Sequence, residues 1–224
     1  MSQVTVFGAS YSVYVRIVRL VLEETRVPYE LVDIDIFSKD SLPADYASRH
    51  PFGRIPSFEH DGFRLFETDA IAGYILERFG DGGLLPADVT HRARMRQIMR
   101  IMDNYAYPWL VWGIYVEEME RDRLGRLAAE ELERAGKCLQ VLSDLAADEY
   151  MAGTQPSLAD LWALPMLAYL DLAPAGHRLL QGVPKLSAWL ARMRWPPHKL
   201  LSLVAPRRPG ALQVIDQAHH SWDD

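Results

Sequence analysis

The sequence predicts a two-part protein, an α/β unit over residues 1–80 followed by an all-helical unit over residues 92–205. Strand-like and helix-like patterns alternate through the first part. The segment between them, "DGGLLPADVTH" (81–91), carries the glycines and proline of a linker, and no convincing strand follows it. Residues 206–224 have weak periodicity and predict a loosely held tail.

The first unit begins with a predicted βαβ order. The short apolar run "VTVF" (4–7) predicts a strand, and residues 13–24 carry apolar side chains at helical spacing. The stretch "YELVDIDI" (29–36) alternates apolar and polar residues with a period of two, which predicts a second strand. Because a helix joins the two strands, we expect them to be parallel.

A hairpin and a helix complete this unit. The run "PSFEHDGFRLFE" predicts two short strands joined at Asp61-Gly62, a strong signal for a tight turn. The helix that follows reads "TDAIAGYILERFG", with Thr68 as its predicted N-cap and Gly80 as its C′ glycine. The order βαβ, then ββα, predicts one small mixed sheet covered by helices.

Four helices are predicted in the second unit. The first spans residues 92–120, with a kink near Asn104 because Pro108 lacks an amide hydrogen. The others are predicted around residues 132–145, from an N-cap at Ser157, and over "KLSAWLARMR". The predicted apolar stripe of the first is Met95, Ile98, Met102, Tyr105, Trp109, Trp112 and Val116.

Composition limits the functions that this chain can have. Its 224 residues carry a net charge of −6 and no basic run, which argues against a nucleic-acid partner. A single cysteine, Cys138, excludes an internal disulfide framework and favours a reducing compartment. No apolar stretch is long enough to span a membrane, and the start lacks a signal peptide's features. We therefore predict a cytoplasmic protein without a membrane partner, and the histidine spacings predict no metal site.

Three short motifs in this order resemble a known family. "GRIP" (53–56) precedes the hairpin, "ETDAI" (67–71) follows it, and "SLAD" (157–160) opens a helix of the second unit. Over residues 3–203 the sequence resembles the cytosolic glutathione transferases, of uncertain class but of the serine type. The resemblance implies a thioredoxin-like first domain, a cis Ile55–Pro56 bond and a homodimer in which the first domain of one subunit faces the helical domain of the other.

The resemblance also implies where glutathione binds. The backbone of Ile55, next to Pro56, would pair with the tripeptide as an added strand does. Glu67 would accept from the ligand's ammonium group, and Thr68, at a helix N-terminus, would hold its carboxylate. Arg54 would lie near the glycyl carboxylate. Each residue also has a purely structural alternative: Thr68 could be only an N-cap, Glu67 only a solvated acid, and Arg54 only an ordinary exposed arginine.

A hydroxyl group in "GASYSVYVR" (8–16) would stabilise the ligand's sulfur. The family keeps its catalytic hydroxyl or thiol in this segment, and without a cysteine here thiol–disulfide exchange is not expected. Counted back from Arg16, Ser12 lies nearest the family's serine, while Tyr11 and Ser10 remain alternatives. A hydroxyl donor and a helix N-terminus both lower a thiol's pKa from about 8.5. The alternative role for Ser12 is to cap the helix.

An aromatic cluster marks the expected electrophile pocket. Tyr107, Trp112 and Tyr115 lie close to Pro108 on the long helix and would line the cleft between the domains. Aromatic stripes at helical spacing more often belong to a core, the alternative for all three, and Trp109 is assigned to the core. Such a pocket would accept an apolar electrophile.

The predicted function is that of a glutathione S-transferase, a detoxification enzyme with glutathione as co-substrate. It would conjugate the glutathione thiolate to an apolar small-molecule electrophile. Peroxidase or isomerase activity would use the same glutathione site. The alternative function is a noncatalytic binding or scaffold protein of the same fold, since fold alone does not determine function.

Overall fold

The computed structural model describes residues 3–37, 42–121 and 123–193. Two compact units divide the chain between Gly80 and Asp81, and each is described by itself. The predicted tail, residues 206–224, lies outside the described residues.

The first unit contains a four-stranded mixed sheet in the order β2-β1-β3-β4. Strand β1 is parallel to β2, whereas β1 with β3 and β3 with β4 are antiparallel. The strands are β1 (Val4–Phe7), β2 (Glu30–Val32), β3 (Ser57–His60) and β4 (Phe63–Phe66). The predicted mixed sheet, with its βαβ and ββα order, is confirmed.

Strand β2 is shorter than predicted. It ends at Val32, although the apolar alternation continues to residue 36, and Ile34 is buried outside any strand. The reason is the length of its partner, because β2 is an edge strand that pairs with β1 alone. The last bond between them runs from the N–H of Gly8 to the carbonyl of Val32. The apolar–polar alternation after Val32 therefore reflects burial of side chains and not pairing with another strand.

The hairpin forms as predicted at Asp61-Gly62. Both residues have positive φ angles, 50° and 87°, as a type I′ turn requires. The cross-strand pair His60 and Phe63 closes the hairpin directly before and after the turn. Because the turn fixes the register of two strands, it also fixes where β4 ends and the next helix begins.

Two helices, α1 (Val13–Glu24) and α2 (Thr68–Phe79), pack against each other in this unit. The predicted N-cap of α2 is wrong by one residue, because Glu67 takes that position and Thr68 is the first helical residue. The predicted role of Gly80 is also wrong: its φ is −75°, so it is not a left-handed C′ glycine. A Cβ atom there would lie 2.6 Å from the carbonyl oxygen of Leu76, and this close approach requires a glycine.

The second unit is helical. Its helices are α3 (Val89–Ile101), a π helix (Met102–Glu120), α4 (Ala129–Leu145), α5 (Leu158–Leu172), α6 (Pro174–Gln181) and α7 (Pro184–Met193). The predicted helices at residues 132–145, from Ser157 and at "KLSAWLARMR" correspond to α4, α5 and α7. Helix α6 was not predicted, and α3 begins inside the predicted linker, with Asp88 as its N-cap. No helix among the described residues is both long and apolar enough to cross a membrane.

The π helix buries a different face from the one predicted. At Met102 the helix changes to wider turns, and at its end the N–H of Arg121 reaches back five residues to the carbonyl of Val116. Tyr105 is exposed, and Trp109, predicted as core, is only half-buried. Met102 and Val116 of the predicted stripe are buried, but other buried positions recur every fourth residue, at Ala106, Leu110, Ile114 and Glu118. The wider turn moves the buried face away from a stripe drawn at 3.6 residues per turn.

Cys138, on α4, is a buried thiol whose pKa is raised by burial to about 12. Since only the thiolate is nucleophilic, this thiol is almost entirely in its unreactive form at pH 8. We expect no reaction with a chromogenic disulfide reagent in the folded protein and one thiol per chain after denaturation. A stoichiometric fast reaction under native conditions would contradict the buried placement.

Candidate functional site

The loop between β1 and α1 lies against the loop that carries the "GRIP" motif. A Cβ atom built on Gly8 would lie 3.2 Å from Cβ of Ile55 and only 2.5 Å from Cγ2 of Val15. Gly8 therefore allows three segments to approach: the end of β1, the first turn of α1 and the "GRIP" loop. The structure thus brings the predicted hydroxyl-bearing loop and the predicted peptide-binding loop together.

The hydroxyl groups of Tyr11 and Ser12 have different partners. Tyr11 donates its hydroxyl proton to Oδ1 of Asp35 at 2.5 Å, so this hydroxyl is committed within the protein. Ser12 is the N-cap of α1, and its Oγ accepts from the N–H of Val15 at 3.4 Å. Capping uses the oxygen as an acceptor, which leaves the Ser12 proton available for another group.

Ser10, the remaining hydroxyl candidate, has an exposed side chain, and its backbone carbonyl is hydrogen-bonded. Nε of Arg16 donates to the Ser10 carbonyl at 3.0 Å, and the Arg16 side chain is almost fully buried. A charged hydrogen bond inside the fold is stronger than a neutral one. Arg16 thereby fixes the course of the loop immediately before Tyr11 and Ser12, a role that the sequence did not reveal.

The peptide bond between Ile55 and Pro56 is cis, as the resemblance implied. Among the described residues, no other backbone group forms a hydrogen bond with the N–H or the carbonyl of Ile55. The exposed Arg54 directly precedes this segment.

Tyr46 holds the loop before the cis bond. Its hydroxyl donates to the carbonyl of Arg54 at 2.8 Å, and its own carbonyl accepts from the N–H groups of Arg49 and His50. Burial raises the pKa of the Tyr46 hydroxyl, which keeps it protonated as a donor. No sequence pattern pointed to Tyr46, because it lies outside the motif and acts through a contact eight residues away.

Helix α2 begins with a strained residue. Glu67 has a φ of 71°, which is unfavourable by about 1–3 kcal/mol for a residue with a side chain. Its carbonyl accepts from the N–H of Ile71, while its side chain is exposed. Thr68 is buried at the first helical position, where the helix presents free N–H groups. A carboxylate and a helix N-terminus thus lie side by side, an arrangement suited to an ammonium and a carboxylate of one ligand.

The three aromatic residues predicted for the electrophile pocket have different environments. Tyr107 and Trp112 are half-buried, and their rings meet edge to face with centroids 6.4 Å apart. Tyr115 is 3% exposed, and its ring lies 4.4 Å from that of Tyr169 on α5. A role for these residues in substrate binding stays a prediction.

A metal site is not indicated by the residues that the structure describes. They contain no group of three or more histidine, cysteine, aspartate or glutamate side chains that could hold a metal ion.

Comparisons with known proteins agree with this architecture. The family model "Glutathione S-transferase, N-terminal domain" matches residues 2–77, and "Glutathione S-transferase, C-terminal domain" matches residues 117–192. A probable glutathione S-transferase GSTF1 of Oryza sativa subsp. japonica is 29% identical, covering 92% of this chain and 99% of its own. A glutathione S-transferase of Hyoscyamus muticus is 30% identical over 84% of this chain and 93% of its own.

A solved structure gives the same result for the fold. The crystal structure of glutathione transferase F7 from Populus trichocarpa superimposes with a TM-score of 0.78 at 25% identity, covering 90% of this chain and 99% of that one. The thioredoxin-like first domain and the helical second domain are therefore those of known glutathione transferases. This chain belongs to the glutathione S-transferase family.

Proposed function

We propose that this protein is a glutathione transferase that activates glutathione as a thiolate and conjugates it to an apolar electrophile. Membership of the family supports the activity. The observation that carries the assignment of Ser12 is the contrast between two neighbouring hydroxyls. Ser12 has a proton to donate at the start of α1, whereas the Tyr11 hydroxyl already donates its hydrogen bond to Asp35.

Ser12 and the N-terminus of α1 would stabilise the sulfur anion together. A hydrogen bond to the thiolate and the positive end of a helix both favour the ionised form and lower the pKa of the thiol. The thiol proton leaves to solvent, the sulfur attacks the electrophilic carbon, and a carbon–sulfur bond forms. In a substitution the leaving group departs with its bonding electrons. The protein then contributes chiefly positioning and stabilisation of the nucleophile.

The remaining contacts to glutathione are proposed for residues of the first unit. The N–H and carbonyl of Ile55 pair with the backbone of the tripeptide, beside Pro56. Glu67 accepts from the ammonium group, and Thr68 with the first turn of α2 binds the adjacent carboxylate. The exposed Arg54 binds the glycyl carboxylate. The strain at Glu67 supports a functional reason for keeping a side chain there.

The electrophile is proposed to contact Tyr107, Trp112 and Tyr115. Aromatic rings offer large apolar contact areas with little loss of side-chain entropy, so an apolar substrate fits better than a charged one. Conjugation, peroxide reduction and isomerisation would all use the same thiolate. Parallel assays with an activated aryl chloride and an organic hydroperoxide would rank these activities.

The test of this proposal is an ultraviolet titration of the thiolate of enzyme-bound glutathione. We expect a thiol pKa at least about one unit below that of free glutathione, equivalent to about 1.4 kcal/mol in favour of the anion. Product formation with the aryl chloride should accompany it. Tight binding of glutathione with an unchanged thiol pKa and no turnover would instead favour a noncatalytic scaffold.

Tyr46→Phe is expected to weaken glutathione binding selectively. One lost hydrogen bond to the Arg54 carbonyl is worth about 0.5–1.5 kcal/mol, so the KM for glutathione should rise by about 2- to 12-fold. The KM for the electrophile should not change. Tyr29→Phe is the matched control, because Tyr29 also uses its hydroxyl in a side-chain bond, to Arg19, away from this loop. Equal effects of both variants, or equal changes in both KM values, would refute this role for Tyr46.

A homodimer is also proposed, and Phe52 provides its test. The Phe52 side chain is 71% exposed beside Phe66 and His50, which suits burial against a second subunit. Burying one phenylalanine contributes about 1.5–3 kcal/mol, and twofold symmetry counts it twice. We expect Phe52→Ser to weaken the dimer by about 10²- to 10⁴-fold in sedimentation equilibrium. Val89→Ser, at a residue 69% exposed in the second unit, should leave the dimer intact.

A further inference from the structure

A buried histidine, His50, contacts the residue that precedes Glu67. His50 precedes the "GRIP" loop and is 3% exposed, and its Nδ1 is fully buried without a hydrogen-bond partner among the described residues. Its ring contacts Phe66, with centroids 4.9 Å apart, and lies 6.3 Å from the ring of Phe52. A buried polar atom without a partner is rare in a native fold and calls for an explanation.

The surroundings of His50 keep its ring neutral. Burial lowers the pKa of His50, the nearby Arg54 guanidinium lowers it further, and the Glu67 carboxylate opposes both. These two side chains are the charged groups that act on the ring. The Tyr46 carbonyl accepts from the backbone N–H of His50, and the ring contacts with Phe52 and Phe66 are uncharged. The Nδ1 atom is buried and unpaired. Burying an unpaired acceptor costs less free energy than burying an unpaired N–H donor. The proton of the neutral ring is therefore assigned to Nε2.

The same two charged residues are those proposed to receive the charges of glutathione. Glu67 would bind the ammonium group, and Arg54 the glycyl carboxylate. A proton added to His50 would introduce a second cation, besides Arg54, that interacts with the Glu67 carboxylate, and the buried ring would have little solvent around its charge. Protonation of His50 and binding of the ligand's ammonium at Glu67 then oppose each other.

We propose that His50 makes glutathione binding sensitive to acid, because its protonated ring competes with the ammonium group of glutathione for Glu67. This inference rests on the proposed function. The direction of the pH effect follows from linkage. A ligand that binds only the form with neutral His50 loses affinity as the pH falls through the pKa of His50 in the free protein. The loss approaches tenfold per pH unit below that pKa.

The experiment measures the Kd of S-methylglutathione by calorimetry between pH 7 and pH 5. The methyl group removes the thiol from the titration, so only the head groups and the protein can respond. For the wild type we expect the Kd to increase by between about threefold and about 25-fold, the upper value being the limit for an ordinary histidine pKa of about 6.5. For His50→Asn the Kd should be independent of pH over this range. His91→Asn, at an exposed residue of the second unit, should retain the wild-type profile.

The experiment distinguishes a failure of the proposed glutathione site from a failure of the proposed role of His50. No binding of S-methylglutathione at pH 7 would refute the glutathione site itself. Binding with a pH-independent Kd in the wild type, with tighter binding at pH 5, or with the same profile in His50→Asn would overturn the role of His50 alone. If His50→Asn does not fold, NMR titration of His50 in the wild type decides the question, because its pKa must fall when S-methylglutathione binds.

Discussion

Ser12→Ala is expected to raise the thiol pKa of bound glutathione by at least about one unit and to lower kcat/KM by about 10- to 150-fold. Hydrogen bonds to charged groups are worth about 1.5–3 kcal/mol, which gives this range. The Ser12 hydroxyl can donate to the thiolate while its oxygen caps α1. Thiolate absorbance against pH and steady-state rates with an aryl chloride would measure the two effects.

Two further variants test whether Ser12 is the residue that donates to the sulfur. Ser12→Thr retains both functions and should keep most of the activity. Tyr11→Phe should leave the thiol pKa unchanged, because the Tyr11 hydroxyl already donates its hydrogen bond to Asp35. If the pKa stays depressed in Ser12→Ala and rises in Tyr11→Phe, the sulfur donor is Tyr11 and the proposed assignment is wrong.

Asp160→Ala is expected to destabilise the second unit by about 3–5 kcal/mol, a large share of the 5–15 kcal/mol typical of a folded protein. The Asp160 carboxylate is fully buried and accepts from the N–H groups of Met151 and Ser157, from Oγ of Ser157 and from Nε1 of Trp189. Its removal leaves several buried donors without an acceptor. Urea denaturation followed by tryptophan fluorescence would measure the loss.

The control for Asp160 is Asp144→Ala. Asp144 is exposed near the end of α4 and accepts from the Gln140 side chain. Its replacement should change the free energy of unfolding by no more than about 0.5 kcal/mol. Asp160→Asn should fall between the two, since an amide can accept with one atom only. Equal stabilities of Asp160→Ala and Asp144→Ala would mean that the buried network contributes little.

Local signals in the sequence predicted much of the fold. Asp61-Gly62 specifies its turn through the φ angles that these residues tolerate, and the Ser157–Asp160 pair begins α5 through contacts three residues apart. The "GRIP" motif located the cis bond through its resemblance to a family. In each case the information lies within a few neighbouring residues.

Features that depend on distant partners or on a changed helical period were not predictable in this way. The Tyr11 hydroxyl is bound by Asp35, 24 residues away, so the sequence alone left three candidate donors open. Strand β2 stops where its partner stops, which its own alternation does not encode. The π helix changes which side chains are buried. The left-handed backbone of Glu67 moves the N-cap of α2 by one residue. Tertiary packing determines both features.

The buried thiol of Cys138 has a consequence for a protein proposed to handle electrophiles. A surface thiolate would be alkylated by the same compounds that glutathione is meant to trap, and the enzyme would inactivate itself during turnover. Because its one cysteine is buried on α4 and its pKa is raised, the chain should resist alkylation by such compounds. The same property makes it a ready host for site-specific labelling: a cysteine introduced at an exposed position would be the sole reactive thiol, without any need to remove the native one.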